Sequence, residues 1–397
     1  AWVALETLGP SHTWKTEIRI LGEIENGILN GDLLFKGYGD PFLVIEDLWH
    51  IIQDLSRKGL RHIDGNLLID SSYFSSFNPE PIEGDPLRLY NVSPNAAMVN
   101  FKWIDFVLNS TPDGSKALIE VVPDLDNLNL VNKLKISNDA CRGSYPRIWL
   151  KSSIDLETIT VSGTLPRTCK NYTLSRTALS SEAYLYGLFK RLLVDRQGSL
   201  TGVHLKATSE QTLKSKLFYT WNSKPLAEIV TKLNKWSNNL MARSLVYSIG
   251  AEHTGVPGTK EKGVAAIRQY LLEQGLDLSG MHIDNGSGLS RSSRISASLL
   301  TSILNRAWKS TLMPEFVSSL SIAGKDGTTR RRFQGSTIKN RVRIKTGTLN
   351  NVSSAGGYVF GKSGEVFSFA FVANHPRVER VLGPRLQEAL VEWISHL

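Results

Sequence analysis

The chain has 397 residues, 41% hydrophobic and 21% charged, with a formal net charge of +9. That length supplies material for two or three folding units, and that balance excludes a disordered chain. No apolar run approaches the roughly 18–20 residues of a membrane span, so none is expected.

Residues 1–9 read as a helix tail ended by Gly9-Pro10. Thr16, Ile18 and Ile20 then alternate with Lys15, Glu17 and Arg19, as in a half-buried strand. Asn26-Gly27 and Asn30-Gly31 have the form of hairpin turns. Val44, Leu48, Ile51, Ile52 and Leu55 mark an amphipathic helix. Gly37-Tyr38-Gly39 lacks the third glycine and the helix start of a phosphate-binding loop. From about residue 90 to about 205, short strands alternate with polar turns, so this stretch is expected to be mostly β. It holds Cys141, and with Cys169 that is the full complement of cysteines. Neither belongs to a Cys-x-x-Cys and no His sits at ligand spacing, so a metal site is not expected. Two free thiols and a disulfide both stay open at this point. From about 216 the helical periods return, and Leu386, Leu390, Val391 and Ile394 give a C-terminal amphipathic helix.

Two short segments in this last part carry chemistry. Ser237-Asn238-Asn239 lies between the helical series Leu226, Ile229, Val230, Leu233 and the series Leu240, Met241, Leu245, Ile249. The triplet therefore falls at a helix–helix junction, where Ser and Asn serve as caps. Lys345-Thr346-Gly347-Thr348 follows the alternating Val342-Arg343-Ile344, with a strand pair expected over 353–360 and 365–372. A cation and two hydroxyls around a glycine, on an exposed strand edge, suit a carboxylate-ended peptide laid alongside. Capping and a solvated strand end account for either segment alone. In combination, Ser-x-Asn at a helix junction and Lys-Thr-Gly on a strand resemble two of the three marks of the penicilloyl-serine transferases, the β-lactamases and penicillin-binding proteins.

Further segments narrow the resemblance. Asp284-Asn285-Gly286-Ser287-Gly288-Leu289-Ser290-Arg291 resembles the DGSGLSR stretch of the class C low-molecular-mass penicillin-binding proteins, the D-Ala-D-Ala carboxypeptidase/endopeptidases. Ala323-Gly324-Lys325-Asp326-Gly327-Thr328 is similar to their AGxDGT segment, and Gly37-Tyr38-Gly39-Asp40-Pro41 to their GxGDP. Ile63-Asp64-Gly65-Asn66 with Asp70-Ser71-Ser72-Tyr73-Phe74 resembles the strand that follows, and residues 4–10 resemble the end of the nucleophile helix. The matches run in the family's order from residue 1 to about residue 375.

The resemblance implies an α/β (α+β) fold. A transpeptidase-like domain with antiparallel sheet and helices would come from residues 1–20 and 216–397. A mostly β accessory insertion would fill 21–215, with a nested subdomain near 90–145. The implied activity is that of a serine-type D-Ala-D-Ala carboxypeptidase/endopeptidase, working through an acyl-enzyme and inhibited by penicillin. No cofactor and no metal are implied. The implied partners are peptidoglycan stem peptides and β-lactams, not nucleic acid, for which no helix-turn-helix, zinc knuckle or aromatic-interleaved basic stripe is present. The implied location is the periplasm or cell envelope, which favours a Cys141–Cys169 disulfide.

Residue by residue, Ser237 and Lys345 would carry the proton between nucleophile and leaving amine, and Asn239 would hold the substrate's acyl-side amide. A neighbouring cation would lower the pKa of Lys345 for that task. Thr346 and Thr348, spaced by Gly347, would bind the terminal carboxylate, and the Thr348 N–H would be an oxyanion donor. Asn238 stands where the family more often has Asp, at a position that usually points away from substrate. The family's nucleophilic Ser-x-x-Lys is expected several residues before Ala1. Ser336-Thr337-Ile338-Lys339 matches it in letters only, in a segment leading into a strand rather than on a helix. The alternatives are a nucleophile-free peptidoglycan-binding homologue and a serine β-lactamase, the latter disfavoured by the long insertion. Arg330-Arg331-Arg332, with Arg341 and Arg343, is either a solvated loop or an attractor of anionic wall polymer or a substrate carboxylate. His375 and His396 are expected to pack or face solvent.

Overall fold

The computed structural model describes residues 1–76, 84–141, 147–153, 157–336 and 338–397, and the chain separates into two units. One is formed by Ala1–Thr13 with Lys224–Leu397, the other by Trp14–Ser223. The first unit begins with helix α1 (Trp2–Leu8), ended by Gly9 at φ 86°.

The inserted unit opens on strands β1 (Lys15–Glu25) and β2 (Ile28–Gly37), joined at Asn26-Gly27. Asn30-Gly31 makes no turn; it lies inside β2, where Gly31 pairs with Gly22. A Cβ on Gly31 would meet the Leu21 carbonyl oxygen at 2.0 Å, so the glycine serves close strand approach rather than reversal. Helix α2 (Ile45–Arg57) buries Leu48, Ile51, Ile52 and Leu55. Strands β3 (His62–Asp64) and β4 (Leu67–Asp70) then pair parallel to β2.

Strands β5 (Ile104–Ser110), β6 (Ala117–Val122), β7 (Asn129–Ser137), β8 (Ile148–Ser153), β9 (Thr158–Pro166) and β10 (Tyr172–Arg176) follow. They form two three-stranded sheets, ordered β10-β5-β6 and β7-β9-β8. This β-rich block therefore reaches from Ile104 to Arg176, beyond the 90–145 expected from the sequence. Cys141 and Cys169 form a disulfide at its margin.

Helix α3 (Ser181–Val194) interrupts the expected β region. Ser180 accepts a hydrogen bond from the Ala183 N–H as its cap. Tyr184, Leu185, Leu188 and Phe189 are all buried, so apolar residues occupy most of its circumference and no helical stripe shows in the sequence. Strands β11 (Ser199–Leu200) and β12 (His204–Lys206), helix α4 (Ser209–Lys214) and strand β13 (Lys216–Asn222) complete the unit. Strand β13 corrects the reading of helix from 216. It pairs antiparallel with β1 from Lys15↔Asn222 to Ile20↔Lys216, which places residues 15–20 and 216–222 in the inserted unit's sheet rather than in the flanking domain.

The first unit resumes with helices α5 (Leu226–Trp236), α6 (Asn239–Thr254), α7 (Lys260–Glu273), α8 (Ala297–Trp308) and α9 (Met313–Ser319). Strands β14 (Ser321–Ile322), β15 (Val342–Leu349), β16 (Val352–Phe360) and β17 (Val366–Asn374) form an antiparallel sheet in that order, and helix α10 (Leu382–Ser395) ends the fold. Val342, Ile344, Ala355, Val359 and Phe369 from the sheet share a core with Val391 and Ile394 of α10. Among the described residues no helix is long and apolar enough to cross a membrane.

Candidate active site

The junction between α5 and α6 divides two tasks between adjacent residues. Asn238 takes the cap, its Oδ1 accepting from the Met241 N–H at 3.0 Å. Ser237 closes α5 in the left-handed region, at φ 56° and ψ 43°. Its hydroxyl is thereby left out of the capping and accepts a hydrogen bond from Lys345 Nζ at 2.6 Å, across 108 residues of chain.

Lys345 comes from the middle of β15, and its ammonium also donates to the Thr346 carbonyl at 2.9 Å. Burial lowers its pKa from 10.5 to about 8. The cause is desolvation of the charge by burial. Asn239 opens α6 half-buried, and its side-chain amide makes no hydrogen bond among the described residues.

The strand edge is prepared as well. β14 pairs only with Ile344 and Arg343, so residues 345–349 have no ladder partner on that side among the described residues. Their other side pairs with β16, where Gly347 faces Ser354. Ser354 Oγ donates to the Gly347 carbonyl at 3.4 Å, and a Cβ on residue 347 would approach that hydroxyl to 2.5 Å. Thr348 is exposed. The Thr346 and Thr328 hydroxyl oxygens lie 3.0 Å apart, which joins the motif strand to the Ala323–Thr328 segment.

Two residues missed in the sequence hold this arrangement. Lys235, in the last turn of α5, donates to Asp326 Oδ2 at 2.7 Å and to the Leu320 carbonyl at 2.9 Å. Asp326 Oδ1 accepts from the Ile322 N–H at 2.7 Å. Lys235 stands two residues before Ser237, and Asp326 two before Thr328, so one ion pair ties together both sides of the site. Asp326 lay within a matched segment and could have been singled out. Lys235 could not, because a lysine in a last helical turn reads as an ordinary partner of the helix dipole. Asn234 adds a buried bond, its Nδ2 donating to Ser319 Oγ at 2.7 Å.

The segment from Asp284 to Arg291 acts as a support. Asn285 accepts from the Ser287 N–H at 3.0 Å and donates to the Leu289 carbonyl at 3.1 Å, and Arg291 Nη1 donates to the Asn350 carbonyl at the β15–β16 turn, at 2.9 Å. Three of the five clustered arginines are structural. Arg332 donates to Glu388, Gln387 and the Pro384 carbonyl of α10, each at 2.9 Å. Arg341 donates to the Gly361 carbonyl and Arg343 to the Asn340 carbonyl, while Arg330 and Arg331 are exposed. Ser336 donates to Glu392 of α10 at 3.3 Å, and Thr337 lies outside the described residues.

A lysine titrating near 8 can both give and take a proton around neutrality, and a hydroxyl at 2.6 Å extends its reach. The open edge can receive an extended chain, with threonine hydroxyls at hand for its terminal carboxylate.

The family model described as D-Ala-D-Ala carboxypeptidase 3 (S13) matches residues 1–397. A D-alanyl-D-alanine carboxypeptidase from Actinomadura sp. (strain R39) is 29% identical over 398 residues, covering 94% of this chain and 71% of the relative. The crystal structure of penicillin binding protein 4 from Haemophilus influenzae superposes with a TM-score of 0.83 at 25% identity, covering 99% of this chain and 88% of that one. The same protein complexed with a novel β-lactam gives 0.77 at 25% identity, covering 98% and 88%.

Proposed function

The chain belongs to the D-Ala-D-Ala carboxypeptidase 3 (S13) family, and on that premise we propose that it is a serine-type D-Ala-D-Ala carboxypeptidase/endopeptidase that cuts peptidoglycan stem peptides through an acyl-enzyme. The observation that carries this reading is the Lys345–Ser237 contact, 2.6 Å across 108 residues. Capping alone asks nothing of Lys345, whereas a proton relay requires that contact.

In the reaction, a serine hydroxyl attacks the carbonyl of the D-Ala-D-Ala bond. The alcohol proton passes by way of Lys345 and Ser237 to the departing D-Ala amine, and water later releases the acyl group. Asn239 steadies the acyl-side amide with a side chain that makes no hydrogen bond among the described residues. Thr346 and Thr348 receive the terminal carboxylate, and the Thr348 N–H stabilises the oxyanion. The nucleophile itself comes from the Ser-x-x-Lys that the resemblance puts upstream of Ala1. A β-lactam enters as a mimic of the same dipeptide. The compartment is the cell envelope outside the cytoplasm, where a disulfide such as Cys141–Cys169 persists.

The test uses a chain carrying Ser-x-x-Lys upstream of Ala1. It is expected to form a stable adduct with a fluorescent penicillin and to release D-Ala from a soluble pentapeptide. Rapid turnover of the penicillin would identify a β-lactamase instead. An adduct at Ser336 would overturn the assignment of the nucleophile.

A further inference from the structure

The sheet β7-β9-β8 has one covered face and, among the described residues, one bare face. Ile159 and Val161 of β9 are fully buried, with Leu134, Ile136 and Leu150 packed against the same core. Strand alternation sends the intervening residues to the opposite face. The pairing register arranges them in rungs. Thr160 pairs with Lys151, and Ser162 lies between Lys133 and Trp149. Thr164 pairs with Lys135, and its N–H donates to the Arg147 carbonyl at 3.0 Å. A row of three hydroxyls thus runs down the centre, with two lysines along one edge and Arg147, Trp149 and Lys151 along the other.

All five edge side chains are exposed, Trp149 to 60%. None of them makes a side-chain hydrogen bond or an ion pair among the described residues, and no rung carries an acid. The adjacent Glu157 is engaged elsewhere, with His204 at 2.6 Å and Asn127 at 2.7 Å.

We propose that this face is a docking surface for the peptidoglycan polymer itself, an inference that rests on the reading that the chain acts on wall stem peptides. The chemistry matches point for point. An indole stacks on the C–H face of a sugar ring, leaving the sugar hydroxyls free for Thr160, Ser162 and Thr164. The four cations meet the carboxylates that the wall polymer carries. Neighbours along a strand on one face are about 6.6 Å apart and strands about 4.8 Å, so the array is a flat platform suited to an extended polymer rather than a small ligand. Each contact is weak. A surface that holds the polymer while the active site works on its side chains raises the local substrate concentration without changing the chemistry.

Sedimentation with insoluble peptidoglycan tests this, with D-Ala release from a soluble pentapeptide measured in parallel on the chain carrying Ser-x-x-Lys. Trp149→Ala and the double variant Lys133→Glu/Lys151→Glu are expected to weaken retention on the polymer by about fivefold or more, the charge variant's deficit shrinking as salt rises. Turnover of the soluble peptide and the melting temperature should stay at the wild-type level. Wild-type retention by both variants would overturn the proposal. So would retention abolished equally well by single-stranded DNA or polyphosphate, which would mark the face as a general polyanion binder. Absence of soluble-peptide turnover in the wild type, with variant-sensitive retention intact, would overturn the proposed activity and leave the docking surface standing.

Discussion

Cations concentrate in two places in this chain, the arginine-rich approach to β15 and the bare face of β7-β9-β8, and the two could hardly be used more differently. Before β15 the charges are dense in sequence, yet Arg332, Arg341 and Arg343 are absorbed by carbonyls and acids of their own unit. On the β7-β9-β8 face the charges are scattered in sequence, and only strand register gathers them. Clustering in sequence therefore says little about availability. What matters is whether the fold has already assigned each cation a partner. Lys345 is the intermediate case, assigned one hydroxyl and one carbonyl and still able to exchange a proton.

The comparison can be broken most forcefully at Lys345. Lys345→Ala or Ser237→Ala should lower penicillin acylation by on the order of 10²-fold or more, as loss of an acid–base group does. Acylation at the wild-type rate in either variant would remove both from the mechanism. Next comes the absorbed class. Arg332→Ala should destabilise the fold by about 2 kcal/mol in denaturant unfolding, since it strands three acceptors on α10, while Lys133→Ala should change stability by under about 0.5 kcal/mol. Equal effects would erase the distinction between cations with and without a partner among the described residues.

Lys235→Ala should slow acylation by about tenfold, a smaller loss because it acts by positioning. The apparent pKa near 8 of the rate profile should survive in that variant, and Lys235→Arg should recover much of the rate. A shifted profile would mean that Lys235 acts on the proton and not on the geometry. The subtlest effect is on stability. The folded-state pKa of Lys345 lies below its unfolded value, so the unfolded chain binds more protons between about 8 and 10.5. Stability of the wild type relative to Lys345→Met should therefore rise across that window, from a deficit below pH 8. A gap that is flat with pH would show the ammonium to be better hydrated than its burial indicates.

Much of the architecture was legible because it rests on periodicity. Ile18 and Ile20 of β1, Leu48 and Ile51 of α2, and the strands after Lys345 all face a core on one side and water on the other. Legibility failed where that contrast disappears. Helix α3 is apolar around most of its surface and carries no stripe, and β13 was lost beside the helical periods that follow it. Asn30-Gly31 looked like a turn because its glycine is needed, but for strand proximity. At the site, periodicity located Ser237 at a junction and Lys345 on a strand. Their meeting is tertiary, and only the family resemblance suggested it. Lys235–Asp326 is also tertiary, and no local signal distinguishes that lysine from any other at a helix end. The disulfide stayed open for a related reason, since spacing alone cannot pair two thiols.

Selection for sturdiness and selection for activity pull residue 237 in opposite directions. A left-handed backbone at the end of a helix is where glycine is most at ease, and a β-carbon there costs about 1 kcal/mol. A mutant library sorted only for heat resistance should therefore enrich Ser237→Gly, and the enriched clones should fold well while losing the hydroxyl that Lys345 holds. Family members that have given up catalysis would be expected to drift the same way. The residue found at this one position would then separate working enzymes from retired ones more sharply than overall similarity does.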